Sequence, residues 1–393
     1  MTALRRFWPA LLLVLSAFGL TQAIGEVTPV PTQTPQTTPI PATATPAPAV
    51  PSDPNATERL LDEALSALQA GRFQDAIALM DQLIASNPSE PDAFFFRGVG
   101  YAQLQDYARA IADYTRAIEL KRYMWTYYAF RADAHLLARD ASAALRDYDQ
   151  AIELNPRYTE AFRGRALAHQ VLGNSLRSQI DALIAEGLTS AARGDNFSAI
   201  NSFTLAIDST TEPLRVLADA YYNRALARYT DGNLTAAIED YGLALEIYPR
   251  MHDSYLGRGI ANRENGDLRQ AGRDFLQRIE ILESNTQRGT IQRGQPVTVP
   301  MAYGTVHRLT FEARGGDFVT ISARDLEDTV VDPLIVILGP NGEAIAGDDD
   351  FGRGLHNLDS LIEGLRLAQD GTYTIVVSHA NGGFDGPIVV SLD

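Results

Sequence analysis

Phe130–Pro156 reads FRADAHLLARDASAALRDYDQAIELNP, and the pattern of this stretch decides the fold. Small and apolar residues recur at helical spacing up to Leu137, break at Ala138–Asp140, and resume from Ala141 until Pro156 closes the run. That is the pattern of a helix, a turn and a second helix. Two charged residues interrupt the apolar spacing, Arg131 in the first helix and Asp147 in the second. Whether they form a reaction centre or a scaffold decides how the rest of the chain is read.

The stretch is one copy of a repeat. Small residues stand at Ala76, Ala110 and Ala144, and a large apolar or aromatic residue follows four later at Met80, Tyr114 and Tyr148. Leu83, Ala117 and Ala151 come three further on, and Pro88 and Pro156 close two of the copies. The frame returns at Ala237, Tyr241, Ala244 and Pro249, then at Ala271 and Phe275. A period of 34 residues, the small–large alternation and the closing proline resemble the tetratricopeptide repeat. The resemblance implies antiparallel helix pairs that stack, because one pair cannot bury its apolar face alone. Units are expected at 57–90, 91–124, 125–158, 159–192, 218–251 and 252–285. Residues 175–217 are irregular, since a unit beginning at Ile180, with Ala199, Phe203 and Ala206 in the signature places, overlaps the fourth. One helix over 175–192 serving both units reconciles them.

The charged pair recurs in the same frame. Arg97 goes with Asp113, Arg131 with Asp147, Arg165 with Asp181, Arg224 with Asp240 and Arg258 with Asp274. The unit at 57 carries Glu63 and Leu79 at these places, and the unit at 180 carries Glu186 and Ser202. Arginine appears only where aspartate does. A bidentate contact across each helix pair explains the match, whereas catalysis needs a single local constellation. The pair is therefore expected to be scaffolding.

The resemblance also implies a groove lined by the first helix of each unit. Its candidate partner-binding residues are Phe95, Phe96, Val99, Phe130, Asp133, Arg163, Leu167, Tyr222, Leu226, Tyr229 and Arg263. Aromatics with a few arginines suit an extended peptide with apolar anchors. Packing between units is the competing role, above all for Phe96 and Tyr222.

Helical periodicity stops after ESNTQRGTIQRGQ (283–295), and ILESNTQRGTIQRGQ (281–295) is expected to be a short hinge. Beyond it, TVHRLTFEA, DFVTISA, DPLIVILGPNGEAIA and GTYTIVVS are strand-like runs separated by turn residues. About seven short strands imply an antiparallel β-sandwich. The order of HRLTFEARGGDFVTIS, DPLIVILGPNGEAIAGDDD and LDSLIEGLRLAQDGTYTIVV resembles the bacterial pre-peptidase C-terminal domain, an appendage of secreted proteins. No peptidase domain stands before it in the chain.

At the N-terminus, Arg5 and Arg6, the apolar run Phe7–Leu20 and small residues ending at Ala23 read as an export signal over 1–23. Residues 24–54 are built from Pro, Thr and Ala with almost no charge and are expected to be a disordered tether, reaching just under about 100 Å at ~3.1 Å per residue. The fold class is thus multidomain: an all-α tetratricopeptide-repeat solenoid at 55–287, then an all-β antiparallel sandwich at 288–393. A net charge of −16 argues against nucleic acid and against anionic lipid. Cysteine is absent, which excludes disulfides and thiol catalysis.

Little chemistry is left to place. Asp332, Asp348, Asp349, Asp350 and Asp359 offer the hard oxygen ligands that Ca2+ prefers, although aspartate is also a common turn residue. The histidines at 135, 169, 252, 307, 356 and 379 form no HExxH pair, Ser360 beside Asp359 does not make a triad, and there is no GxxxxGK[ST] loop. No cofactor is required. The sequence is read as an exported, non-enzymatic scaffold, extracellular, cell-surface or periplasmic, that holds a protein or peptide in the repeat groove. The alternative is a surface adhesion module binding polysaccharide through the sandwich, whose aromatics are Tyr303, Phe311, Phe318, Phe351, Tyr373 and Phe384.

Overall fold

The computed structural model describes residues 56–302, 304–326, 331–349, 359–380 and 386–393. The segments read as export signal and tether lie outside them, as do Tyr303, Asp350, Phe351, His356 and Phe384. Among the described residues no helix is long and apolar enough to cross a membrane.

Thirteen helices come first among the described residues: α1 (Ala56–Gln69), α2 (Phe73–Ser86), α3 (Pro91–Gln103), α4 (Tyr107–Leu120), α5 (Trp125–Leu137), α6 (Ala141–Leu154), α7 (Thr159–Val171), α8 (Ser175–Ala192), α9 (Asn196–Asp208), α10 (Arg215–Thr230), α11 (Leu234–Ile247), α12 (His252–Glu264) and α13 (Leu268–Leu282). Five of the turns inside pairs are specified by two residues. A left-handed residue ends the first helix, glycine at Gly232 and Gly266 but Arg139 at φ 67° in the quoted stretch. Its neighbour caps the second helix: Asp140 accepts from the Ala143 amide at 2.9 Å, and Asp106, Asp195, Asn233 and Asp267 do the same in their turns. The long helix α8 occupies the overlap of two units, as the sequence implies. The chain divides within it into two compact units, the first ending at Ala185 and the second running from Glu186 to Asp393.

In the first unit, one pair meets the next through a ring against a glycine. A side chain at Gly164 would start 2.3 Å from the Tyr148 ring of the preceding pair. In the second unit Gly257 stands in the same relation to Tyr241, with a gap of 2.4 Å. At these two junctions the glycine leaves the room that the neighbour's ring fills.

Nine strands follow: β1 (Asn285–Thr290), β2 (Val297–Met301), β3 (Thr305–Ala313), β4 (Phe318–Asp325), β5 (Pro333–Leu338), β6 (Ala344–Asp348), β7 (Ser360–Arg366), β8 (Gly371–His379) and β9 (Gly386–Leu392). They form a five-stranded sheet ordered β1-β3-β8-β5-β6 and a four-stranded sheet ordered β2-β9-β4-β7. Val319, Ile321, Ile335, Ile337, Tyr373 and Ile375 belong to the core of the sandwich. Two expectations are corrected here. The stretch expected to be a hinge is strand β1, and it pairs parallel with β3, from Asn285 opposite Thr305 to Thr290 opposite Thr310. The sandwich is therefore not wholly antiparallel. Backbone pairing outweighs the polar composition that suggested a loop.

The continuous apolar run of β5 has a physical reason. Ile335 and Ile337 face the sandwich core, while Leu334, Val336 and Leu338 belong to a second core with Ala271, Phe275 and Ile279 of α13. A strand buried on both faces shows no alternation.

Candidate partner-binding site

All five Arg–Asp pairs are formed. In each, Nε and Nη2 of the arginine donate to the two carboxylate oxygens at 2.7–3.0 Å, from Arg97–Asp113 through Arg258–Asp274. The remaining nitrogen, Nη1, reaches back to the preceding pair: Arg97 to Asp81 at 2.7 Å, Arg131 to Thr115 at 3.0 Å, Arg165 to Asp149 at 2.8 Å and Arg224 to Thr204 at 3.1 Å. For Arg258 the equivalent position is Gly242, which has no side chain to offer. Each arginine thus fixes one pair internally, and four of them also fix it to its predecessor. The opening pair, Arg131 and Asp147, is scaffolding.

The candidate groove residues separate into three groups. Phe95, Phe96 and Val99 are core, with exposures of 1%, 0% and 1%. Phe95 lies 5.1 Å from each of the rings of Phe96, Tyr127 and Phe130 and 5.7 Å from Tyr114, so neighbouring helices fill the space a ligand would need. Tyr222 is also buried, 5.9 Å from Tyr241. Arg263 is held by the sandwich: its Nη1 donates to Asp348 Oδ1 at 2.7 Å and to the Asp349 carbonyl at 2.6 Å. The third group keeps accessible surface. In the first unit Arg163 is exposed, and Phe130, Asp133 and Leu167 are half-buried; in the second unit Leu226 and Tyr229 are half-buried.

Tyrosine–carboxylate bonds between first helices, or from second helix to first, were not legible from the period. Tyr127 donates to Asp92 at 2.5 Å, Tyr148 to Asp133 at 2.6 Å and Tyr229 to Glu264 at 2.7 Å. Burial pushes the Asp133 carboxyl from its ordinary 3.8 up to about 7; the Tyr148 hydroxyl opposes this and the neighbouring Glu160 adds to it. The folded chain consequently holds a proton that the unfolded chain has lost between these two values. Stability is expected to fall as pH rises from about 4 to about 7, and Asp133→Asn should flatten that slope. Urea midpoints of both proteins at pH 5 and pH 8 check it, with the wild type expected to lose more.

Two of the aspartates considered for Ca2+ have protein partners. Asp348 gives one oxygen to Arg263 and the other to the Leu361 amide at 2.7 Å, and Asp359 accepts from the Asp325 amide at 3.2 Å. The cation beside Asp348 is a guanidinium, and among the described residues no group of three His, Asp or Glu could hold a metal ion. Ser360 is buried and donates to the Pro333 carbonyl at 2.5 Å, and His307 faces the Pro300 carbonyl at 2.7 Å. His135 and His169 lie 3.8 and 4.0 Å from Asp147 and Asp181, and burial lowers the pKa of both rings.

A sequence model of the tetratricopeptide repeat matches residues 61–124, 184–252 and 222–285. The helices of residues 61–124 and 184–285 are thus similar to tetratricopeptide repeats. Human tetratricopeptide repeat protein 36 is 33% identical over 110 residues, covering 27% of this chain; the chain spans 56% of that relative's length. Among solved structures, a tetratricopeptide repeat protein from Parabacteroides merdae is 18% identical, with a TM-score of 0.31 over 58% of this chain and 93% of its own. The first tetratricopeptide-repeat domain of human RPAP3 is 24% identical, with a TM-score of 0.30 over 31% of this chain and 97% of its own.

Proposed function

We propose that the chain is an exported, non-enzymatic scaffold whose repeats hold a peptide or protein partner. The observation that carries this reading is what the scaffold leaves at the surface of the first helices. Once the Arg–Asp ladder and the aromatic core are subtracted, Phe130, Arg163 and Leu167 in the first unit, and Leu226 in the second, keep accessible area. Apolar anchors beside an arginine suit an extended segment with apolar side chains and an acceptor group. The export signal and the tether support placement outside the cytoplasm, and the motif order of the sandwich supports the pre-peptidase C-terminal resemblance. The test is affinity capture from a cell-envelope extract with the full chain and with Arg163→Glu/Leu167→Asp. Loss of a protein partner by the variant, at unchanged melting temperature, is expected. A partner kept undiminished would overturn the groove, and polysaccharide kept by both baits would transfer the function to the sandwich, on which Phe318 is 61% exposed.

A further inference from the structure

We infer that the β-sandwich is the terminal cap of the repeat array, with strand β6 standing where the first helix of a further repeat would stand. At two junctions between successive pairs a ring packs against a glycine. Tyr148 meets Gly164 of the next first helix, and Tyr241 meets Gly257. The residue at the same repeat position in the last pair is Phe275; it packs on Gly259 of its own pair and also meets Gly347 of β6, where a Cβ would lie 2.8 Å from the Phe275 ring and 2.7 Å from the Gly272 backbone. The approach is mutual, since a Cβ on Gly272 would come within 2.8 Å of the Ala346 carbonyl carbon.

The surfaces around this point match in the same way. Ala271, Phe275 and Ile279 of α13 and Ile260 of α12 share one buried core with Leu334, Val336, Leu338, Ala344 and Val376 of the sheet. Two arginines also bridge the junction. Arg278 Nη1 donates to the His379 carbonyl at 2.6 Å and its Nη2 to the Ala380 carbonyl, closing the end of β8. Arg263 takes Asp348, so an internal carboxylate satisfies the last first-helix arginine. A repeat array must end in an element that covers the apolar side of its last unit. Here a sheet does so, and the sandwich is a folding partner of the last repeat.

The experiment is hydrogen exchange on the full chain in increasing urea, with Gly347→Ala and Gly272→Ala as variants. In the wild type, amides of α12–α13 and of β5, β6 and β8 should open at one common midpoint. Either added methyl meets backbone, so both variants should raise exchange of helices and strands together, by on the order of 5- to 150-fold, with α1–α4 unchanged. Separate midpoints in the wild type, or loosening confined to the element that carries the substitution, would overturn the inference. The midpoint comparison stands even where a variant does not fold.

Discussion

Replacing Arg165 with alanine is expected to destabilise the chain by about 3–5 kcal/mol, the cost of leaving a buried carboxylate without its cation. Asp181 is fully buried and Arg165 nearly so, with side-chain exposures of 0% and 5%. The other four arginines of the ladder are more exposed, up to 23% at Arg258, and should cost less in proportion. The double variant Arg165→Met/Asp181→Leu should recover most of the loss, because charge and counter-charge leave together and the volume stays filled. Urea denaturation of the two single variants and the double variant measures this. A single-variant cost within the ~0–1 kcal/mol of an exposed pair would show that the contact does not hold the helices. The units lacking the pair, with Leu79 and buried Ser202 in place of the aspartate, fold without it, so the ladder fixes register without being the source of the fold.

Phe95→Ala separates core from groove. Its ring is enclosed by Phe96, Tyr114, Tyr127 and Phe130, so truncation should cost about 3–5 kcal/mol of stability. Capture of a partner per folded molecule should stay the same. Arg163→Ala should behave inversely: Arg163 is exposed and donates to Glu160 at 3.0 Å within one helix, and its removal should shift stability by under about 0.5 kcal/mol. Melting curves and capture on matched folded protein distinguish the two. A Phe95 variant that melts like the wild type and loses its partner would return that residue to the groove.

The helix pairs and the Arg–Asp matches were legible because they repeat every 34 residues, so the chain supplies its own comparison. The polar residues at Asp81, Thr115 and Asp149 were equally periodic and marked the backward contacts of the arginines, though only the structure gave them a partner. Separating groove from core failed for Phe95 and Val99 for a physical reason. A first helix carries apolar residues both toward the next pair and toward its open face, and a 3.6-residue period does not distinguish the two. The Arg263–Asp348 contact spans 85 residues and belongs to no period. The run PLIVIL announced burial on two faces but not that α13 supplies the second. Strand β1 was missed because NTQRGT is polar, and its pairing with β3 is a parallel backbone ladder that leaves no apolar pattern.

The most direct test of the central claim places a photo-crosslinking residue at Leu167 of the full chain and, in a second protein, at Phe318. Both positions keep accessible side chains, one on a first helix of the repeats and one on the sandwich. Crosslinking of a protein partner from position 167, suppressed by Arg163→Glu, is the predicted result. Crosslinking from position 318 with none from 167 would contradict the account and make the sandwich the binding module.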